Sequence, residues 1–152
     1  MDDTNLFSVR RAEWTTHGAL LAAIRREVFV VEQQVPEAEE WDGMDASSGH
    51  VIALAADGTA IGTGRLLPDG SHIRHARIGR MAVLKEWRGR GVGRALLGEL
   101  IAMAREGGFA EAHLHAQTHA LAFYRKHGYT PVGEEFMEAG IPHYEMRLRL
   151  KT

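Results

Sequence analysis

Residues 88 to 94 read Arg-Gly-Arg-Gly-Val-Gly-Arg, between an apolar segment from Ile78 to Val83 and a helical pattern from Ala95 to Arg105. Gly89, Gly91 and Gly93 open backbone dihedrals that other residues avoid and leave no Cβ over the peptide groups. A strand, a glycine turn and a helix start aim unpaired N–H groups, that of Val92 among them, at one point. Arg88, Arg90 and Arg94 can add charge-assisted hydrogen bonds. This is phosphate-binding chemistry. The spacing argues against the two best-known nucleotide loops: G-x-x-x-x-G-K-[ST] is absent, and G-x-G-x-x-G begun at Gly89 or Gly91 ends on Arg94 or Leu96. The flanking strand and helix favour this reading over a merely solvated glycine connection.

Other side chains capable of chemistry are less clearly arranged. Of nine histidines, His113 and His115 would face the same way on a strand. No HExxH, cysteine cluster or carboxylate triad accompanies them, so no metal is expected. The chain has no cysteine, which excludes disulfides and a thiol nucleophile and suits a reducing compartment. Glu37, Glu39, Glu40, Asp42 and Asp45 form an acidic loop around Trp41, which reads as a solvated face or as an attractor for a cationic amine.

The elements that must position these groups fit one domain over 1–152. With 152 residues and 45% hydrophobic composition, the chain can bury a single core. Eighteen Lys and Arg against twenty Asp and Glu give a net charge of -2, which argues against bulk nucleic-acid binding. The start is acidic without the apolar core of a signal peptide, and no apolar run approaches the ~20 residues of a membrane span. A soluble, cytoplasmic chain is expected.

Phe7 to Trp14 alternates as a strand, and Thr15 or Thr16 can cap a helix carrying Leu20, Leu21, Ile24, Val28 and Val31. Strands over 50–56 and 60–68 flank a hairpin turn at Asp57-Gly58-Thr59, and a further strand ends near Val83. The following helix should bury Val92, Leu96, Leu97, Leu100, Ile101 and Ala104 before Gly107-Gly108 stops it. A strand over 112–116, a helix capped by Thr118 and stopped by Gly128, and strands near 129–134 and 143–150 complete the chain. That order predicts an α+β layered fold with a mixed, mostly antiparallel sheet of six to seven strands and about four helices.

Arg88-x-x-Gly91-x-Gly93 resembles the acyl-coenzyme A pyrophosphate loop, [QR]-x-x-G-x-[GA], of the GNAT superfamily of N-acetyltransferases. The resemblance continues through 78–97, through ALAFYRKHGYTPVGEEF (120–136), with Phe123-Tyr124, and through 26–45 and 138–148, which resemble a small bacterial branch of mostly unassigned substrate. It implies acetyl-CoA as cosubstrate and transfer to a small-molecule, peptide or protein amine by direct attack, with a homodimer as a common assembly. Backbone N–H groups at Met81, Ala82 and Val83 are implied as donors to the thioester oxygen, and Tyr124 as the partner of the leaving thiolate. Phe123 beside it, and Gln117 where the family often has asparagine, are implied cofactor contacts. The family's central-strand glutamate is missing from RIGRMAV (77–83). Glu32, Glu135 and His143 are the replacement bases that the matched segments suggest. That gap leaves open a non-catalytic acyl-CoA sensor or interaction module.

Overall fold

The computed structural model describes residues 6–150. Met1 to Asn5, which form part of the acidic start, and the last two residues of the single domain expected over 1–152 lie outside the described residues.

In chain order the elements are β1 (Phe7–Ala12), α1 (Trp14–Arg25), a π-helical segment (Arg26–Glu32), α2 (Glu37–Glu40), β2 (Gly49–Ala55), β3 (Ala60–Pro68), β4 (His75–Val83), α3 (Val92–Glu106), β5 (Glu111–Gln117), α4 (Leu121–Arg125), β6 (Thr130–Glu138) and β7 (Ile141–Arg149). The seven strands form one sheet in the order β1-β2-β3-β4-β5-β7-β6. β4 and β5 pair in parallel, and the other neighbours are antiparallel. This is the mixed, mostly antiparallel α+β sheet expected.

The centre follows from apolar patterning. β3 is buried from Ile61 to Leu67, as a strand covered on both faces must be. On one face lies α3, whose buried residues are Val92, Leu96, Leu97, Leu100, Ile101 and Ala104, the stripe read from the sequence. The helix comes close because β3 presents glycines there. A Cβ on Gly64 would stand 2.7 Å from Leu100 Cδ1, and one on Gly62 would stand 2.9 Å from Leu96 Cδ1. Leu21, Ile24 and Val28 pack toward the sheet from the α1 side.

Four local expectations are corrected. α1 begins at Trp14, ahead of Thr15 and Thr16: His17 Nδ1 accepts the Glu13 N–H at 3.3 Å and the Trp14 ring stacks on His50, so side-chain packing sets the start. Leu20 and Val31 are 47% and 58% exposed, because the buried stripe runs instead through Leu21, Ile24, Arg25 and Val28. Thr118 does not cap α4; a 3-10 turn over Thr118–Ala120 intervenes, and Thr118 Oγ1 donates to Glu135 at 2.8 Å. β6 and β7 are nine residues each and meet at a turn in which Ala139 and Gly140 both have positive φ.

Candidate active site

The site is an interruption in the sheet. β4 and β5 pair at His75↔Glu111, Ala76↔Ala112 and Arg77↔His113, and there the ladder stops. Beyond it β4 bulges. Its register against β3 passes from Gly79↔Arg65 to Ala82↔Thr63, which leaves Arg80 and Met81 opposite Gly64. Arg80 takes a φ of +48°, a conformation costing an ordinary residue about 1–2 kcal/mol. Its side chain is held by Glu40 Oε2 at 3.4 Å and Asp42 Oδ2 at 3.4 Å, and it donates to the Glu40 carbonyl at 3.2 Å. Where pairing stops, a cleft of about 970 Å³ opens, with Met81, Ala82 and Val83 on one wall and Leu114, His115 and Gln117 on the other.

The glycine loop flanks this cleft. Gly89 and Gly91 have φ of +77° and +86°, and no atom lies within 4 Å of where their Cβ would stand. Gly91 is the N-cap of α3, so the N–H groups of the first helical turn, Val92 to Arg94, have no partner within the helix. Gly93 lines the cleft, and Arg90 and Arg94 are exposed beside the loop. The Arg90 guanidinium stacks on Trp87 at 5.0 Å. Arg88 braces the loop from inside: its Nε donates to the Val83 carbonyl at 3.0 Å, and its two terminal nitrogens donate to Glu32 at 2.5 and 2.7 Å.

α4 brings Phe123 and Tyr124 to the same cleft, their rings edge to face at 5.0 Å. The Tyr124 hydroxyl faces Met81 Sδ at 4.0 Å, and burial pushes its phenol pKa up to about 12. Gln117 lines the opposite wall, with its side-chain amide donating to Gln33 Oε1 at 3.0 Å and its oxygen 2.8 Å from His119 Nε2.

The three base candidates separate. Glu135 lies outside the cleft and is bonded to Thr118, which corrects the expectation that it borders the acceptor space. Glu32 lines the cleft, but the hydrogen bond from Arg88 holds its carboxyl below the usual range, which makes it a poor proton acceptor. His143 is buried and lines the cleft. Its Nδ1 lies 2.7 Å from the Ile141 carbonyl and must carry a proton to bond it, so the neutral ring keeps a lone pair on Nε2. Glu138 Oε2 lies 3.6 Å from that nitrogen.

The acidic loop is a solvated face only in part, with Glu37 and Glu39 exposed. Glu40 and Asp45 are 3% and 6% exposed. Arg25, buried in α1, donates from Nε to Glu40 and from a terminal nitrogen to Asp45, each at 2.6 Å, and its guanidinium lies 5.0 Å from the Trp41 ring. Arg65 forks onto Asp42 at 2.8 and 2.9 Å and reaches Asp45 at 3.1 Å. The Arg65 hydrogen bonds hold the Asp42 carboxyl far below the usual range. With Arg80 the network matches three guanidinium groups to three carboxylates, and Glu40, Asp42, Arg65 and Arg80 line the cleft. Sequence reasoning missed Arg65, Arg80, His115 and Glu138 as cleft residues. The available signal was a charge at Arg65 and at Arg80 inside the largely apolar runs 60–68 and 78–83.

The family model described as "Acetyltransferase (GNAT) domain" matches residues 12–150. The chain is 41% identical over 125 residues to the N-acetyltransferase YjcF of Bacillus subtilis, itself named as uncharacterized, covering 81% of this chain and 86% of that one. A solved acyl-CoA N-acyltransferase from Pseudomonas aeruginosa superposes with a TM-score of 0.83 at 31% identity, covering 93% of this chain and 99% of that one. Escherichia coli ElaA gives the same TM-score at 27% identity, over the same 93% and 99%. The chain therefore belongs to the GNAT acetyltransferase family, whose members transfer an acyl group from acyl-CoA to an amine.

Proposed function

We propose that this chain transfers an acetyl group from acetyl-CoA to a primary amine by direct attack within a ternary complex, and that the whole chain serves as one catalytic domain. The observation that carries the reading is the convergence of the α3 glycine loop, the unpaired edges of β4 and β5 and the Tyr124 hydroxyl on one cleft. The first-turn amides of α3 receive the diphosphate, with Arg90 and Arg94 nearby. Free N–H and C=O groups on the parted strands suit the amides of the pantetheine arm. Backbone N–H groups at Met81 to Val83 stabilise the thioester oxygen as it gains charge.

As the amine nitrogen bonds to the acyl carbon, the C–S bond breaks and two proton tasks arise. Tyr124 meets the departing sulfur. A phenol near 12 against a thiol near 8.5 makes full proton transfer uphill by about 5 kcal/mol, so Tyr124 acts by hydrogen-bond donation. His143 Nε2 takes a proton from the amine, directly or through water, and Glu138 offsets the charge that the ring acquires. A lysine-like amine of pKa ~10.4 is neutral in about one molecule per thousand at about pH 7.4, so such a base is worth up to roughly 4 kcal/mol.

The test is release of free thiol from acetyl-CoA across a panel of small amines and lysine-bearing peptides. Amine-dependent release that saturates in both substrates is expected. Acetyl-CoA binding without release for any amine would overturn the catalytic reading in favour of a sensor.

A further inference from the structure

Outside the cleft, at the closed end of the β4–β5 pair, a second group of chemically capable side chains meets. His75 opens β4 and is register-paired with Glu111, which opens β5; His113 lies two residues along β5 and faces the same way. Their donor atoms lie within 4.8 Å of one another. We propose that His75 Nε2, the Glu111 carboxylate and His113 Nε2 form a site for a divalent first-row transition cation of the zinc class, tying β4 to β5 at the closed end of the pair.

Distances support this. His75 Nε2 lies 3.5 Å from Glu111 Oε2, and His113 Nε2 lies 3.2 Å from Glu111 Oε1. A tetrahedral ion with N and O bonds of 2.0–2.1 Å separates its donors by about 3.3 Å, and each imidazole nitrogen stands near that spacing from a different oxygen of the Glu111 carboxylate, the two rings being stacked with centroids 4.7 Å apart. Satisfaction supports it independently. Glu111 Oε1 and His113 Nε2 are both buried and neither has a hydrogen-bond partner, although they lie 3.2 Å apart. Two unpaired buried polar atoms facing each other are costly, and a shared cation satisfies both. Orientation is the third support. Glu145 Oε1 stands 3.3 Å from His113 Nδ1, the arrangement in which a carboxylate accepts the hydrogen bond from Nδ1–H and so leaves the lone pair on Nε2 for a metal. His72 stacks on His75 with centroids 3.6 Å apart and rings 8° from parallel, which fixes the third ligand's ring. The competing cation is Arg147, whose Nε lies 3.7 Å from Glu111 Oε1, beyond hydrogen-bond reach.

The sequence drew notice to a different pair, His113 and His115, without expecting a metal there; His115 is taken by Glu138 at 2.9 Å and Glu145 at 3.1 Å. The partners of His113 come from β4 and from the position two before it. Two histidines and one carboxylate leave a fourth tetrahedral position for water, and no acyl transfer step depends on them.

Tag-free full-length protein, stripped by chelation, would be titrated with zinc chloride by calorimetry and with cobalt(II) chloride by visible absorption. The expected result is saturation at about one ion per chain, ligand-field bands of four-coordinate cobalt and a zinc-dependent rise in melting temperature. Glu111→Gln and His113→Asn should each weaken binding at least about tenfold, and so should Glu145→Gln through ring orientation. His75→Asn, at the first residue of β4, carries the same test should a β5 variant fail to fold. Absence of saturable binding at millimolar zinc overturns the proposal, as does binding undiminished in both His75→Asn and His113→Asn, which would assign the ion to scattered surface histidines.

Discussion

Tyr124 and His143 stand in environments suited to opposite proton tasks. The phenol of Tyr124 is shielded, raised to about 12 and able to donate. His143 has its Nδ1 committed to the Ile141 carbonyl and its Nε2 open to accept. Tyr124→Phe should lower kcat by about tenfold to a hundredfold while KM for acetyl-CoA stays within about twofold, because the lost bond strengthens as the thiolate forms. Steady-state kinetics in both substrates checks this. His143→Gln should lower kcat/KM for the amine by about 10² to 10⁴, whereas Glu135→Ala, outside the cleft, should match the parent in the same assay. The sequence nominated Tyr124 through the matched α4 segment but could not rank the three bases. What disqualifies Glu32 is its bond to Arg88, and what qualifies His143 is a carbonyl two residues away on its own strand. The first is a long-range contact that no local pattern encodes.

At the scale of elements, legibility followed burial. The six apolar positions of α3 recur at helical spacing because that face has no other way to leave water, and all six are buried. The closeness of α3 to the sheet depends on the missing Cβ at Gly64. Gly64→Ala should destabilise the chain by about 1–3 kcal/mol through overpacking against Leu100 and Val51, lowering the urea midpoint with an unchanged slope. Elements whose limits are set by side-chain bonds were harder to read. Thr118 has the right residue type for a cap, yet its hydroxyl goes to Glu135. The Ala139-Gly140 turn extends β6 and β7 beyond the strands expected, which is why Glu138 went unnoticed beside the cleft. The acidic loop misled most. Glu40, Asp42 and Asp45 look solvated in sequence because Arg25, Arg65 and Arg80 lie far from them along the chain.

For the molecule as a whole, that network sets the response to acid. Asp42 and Asp45 both have folded pKa values below 3.8, so their contribution is complete above the ordinary carboxylate range and is lost as pH falls through it. His50, buried against the Asp45 carbonyl, has its pKa lowered from 6.5, so protonation below that value also favours unfolding. Glu40 has the opposite sign, since burial raises its carboxyl, and it offsets part of the loss near pH 4.5. Melting temperature should fall steadily from about pH 6.5 downward, with the steepest loss below the carboxylate midpoint; a flat profile to pH 4 would contradict this. The three-rung ladder joining β4 to β5 has a larger-scale result. It makes the protein a bivalve, one shell carrying β1 to β4 and the other β5 to β7, joined along a short backbone seam. An acyl donor lodged between the shells would supply the missing rungs itself, so the act of seating the cosubstrate also completes the sheet.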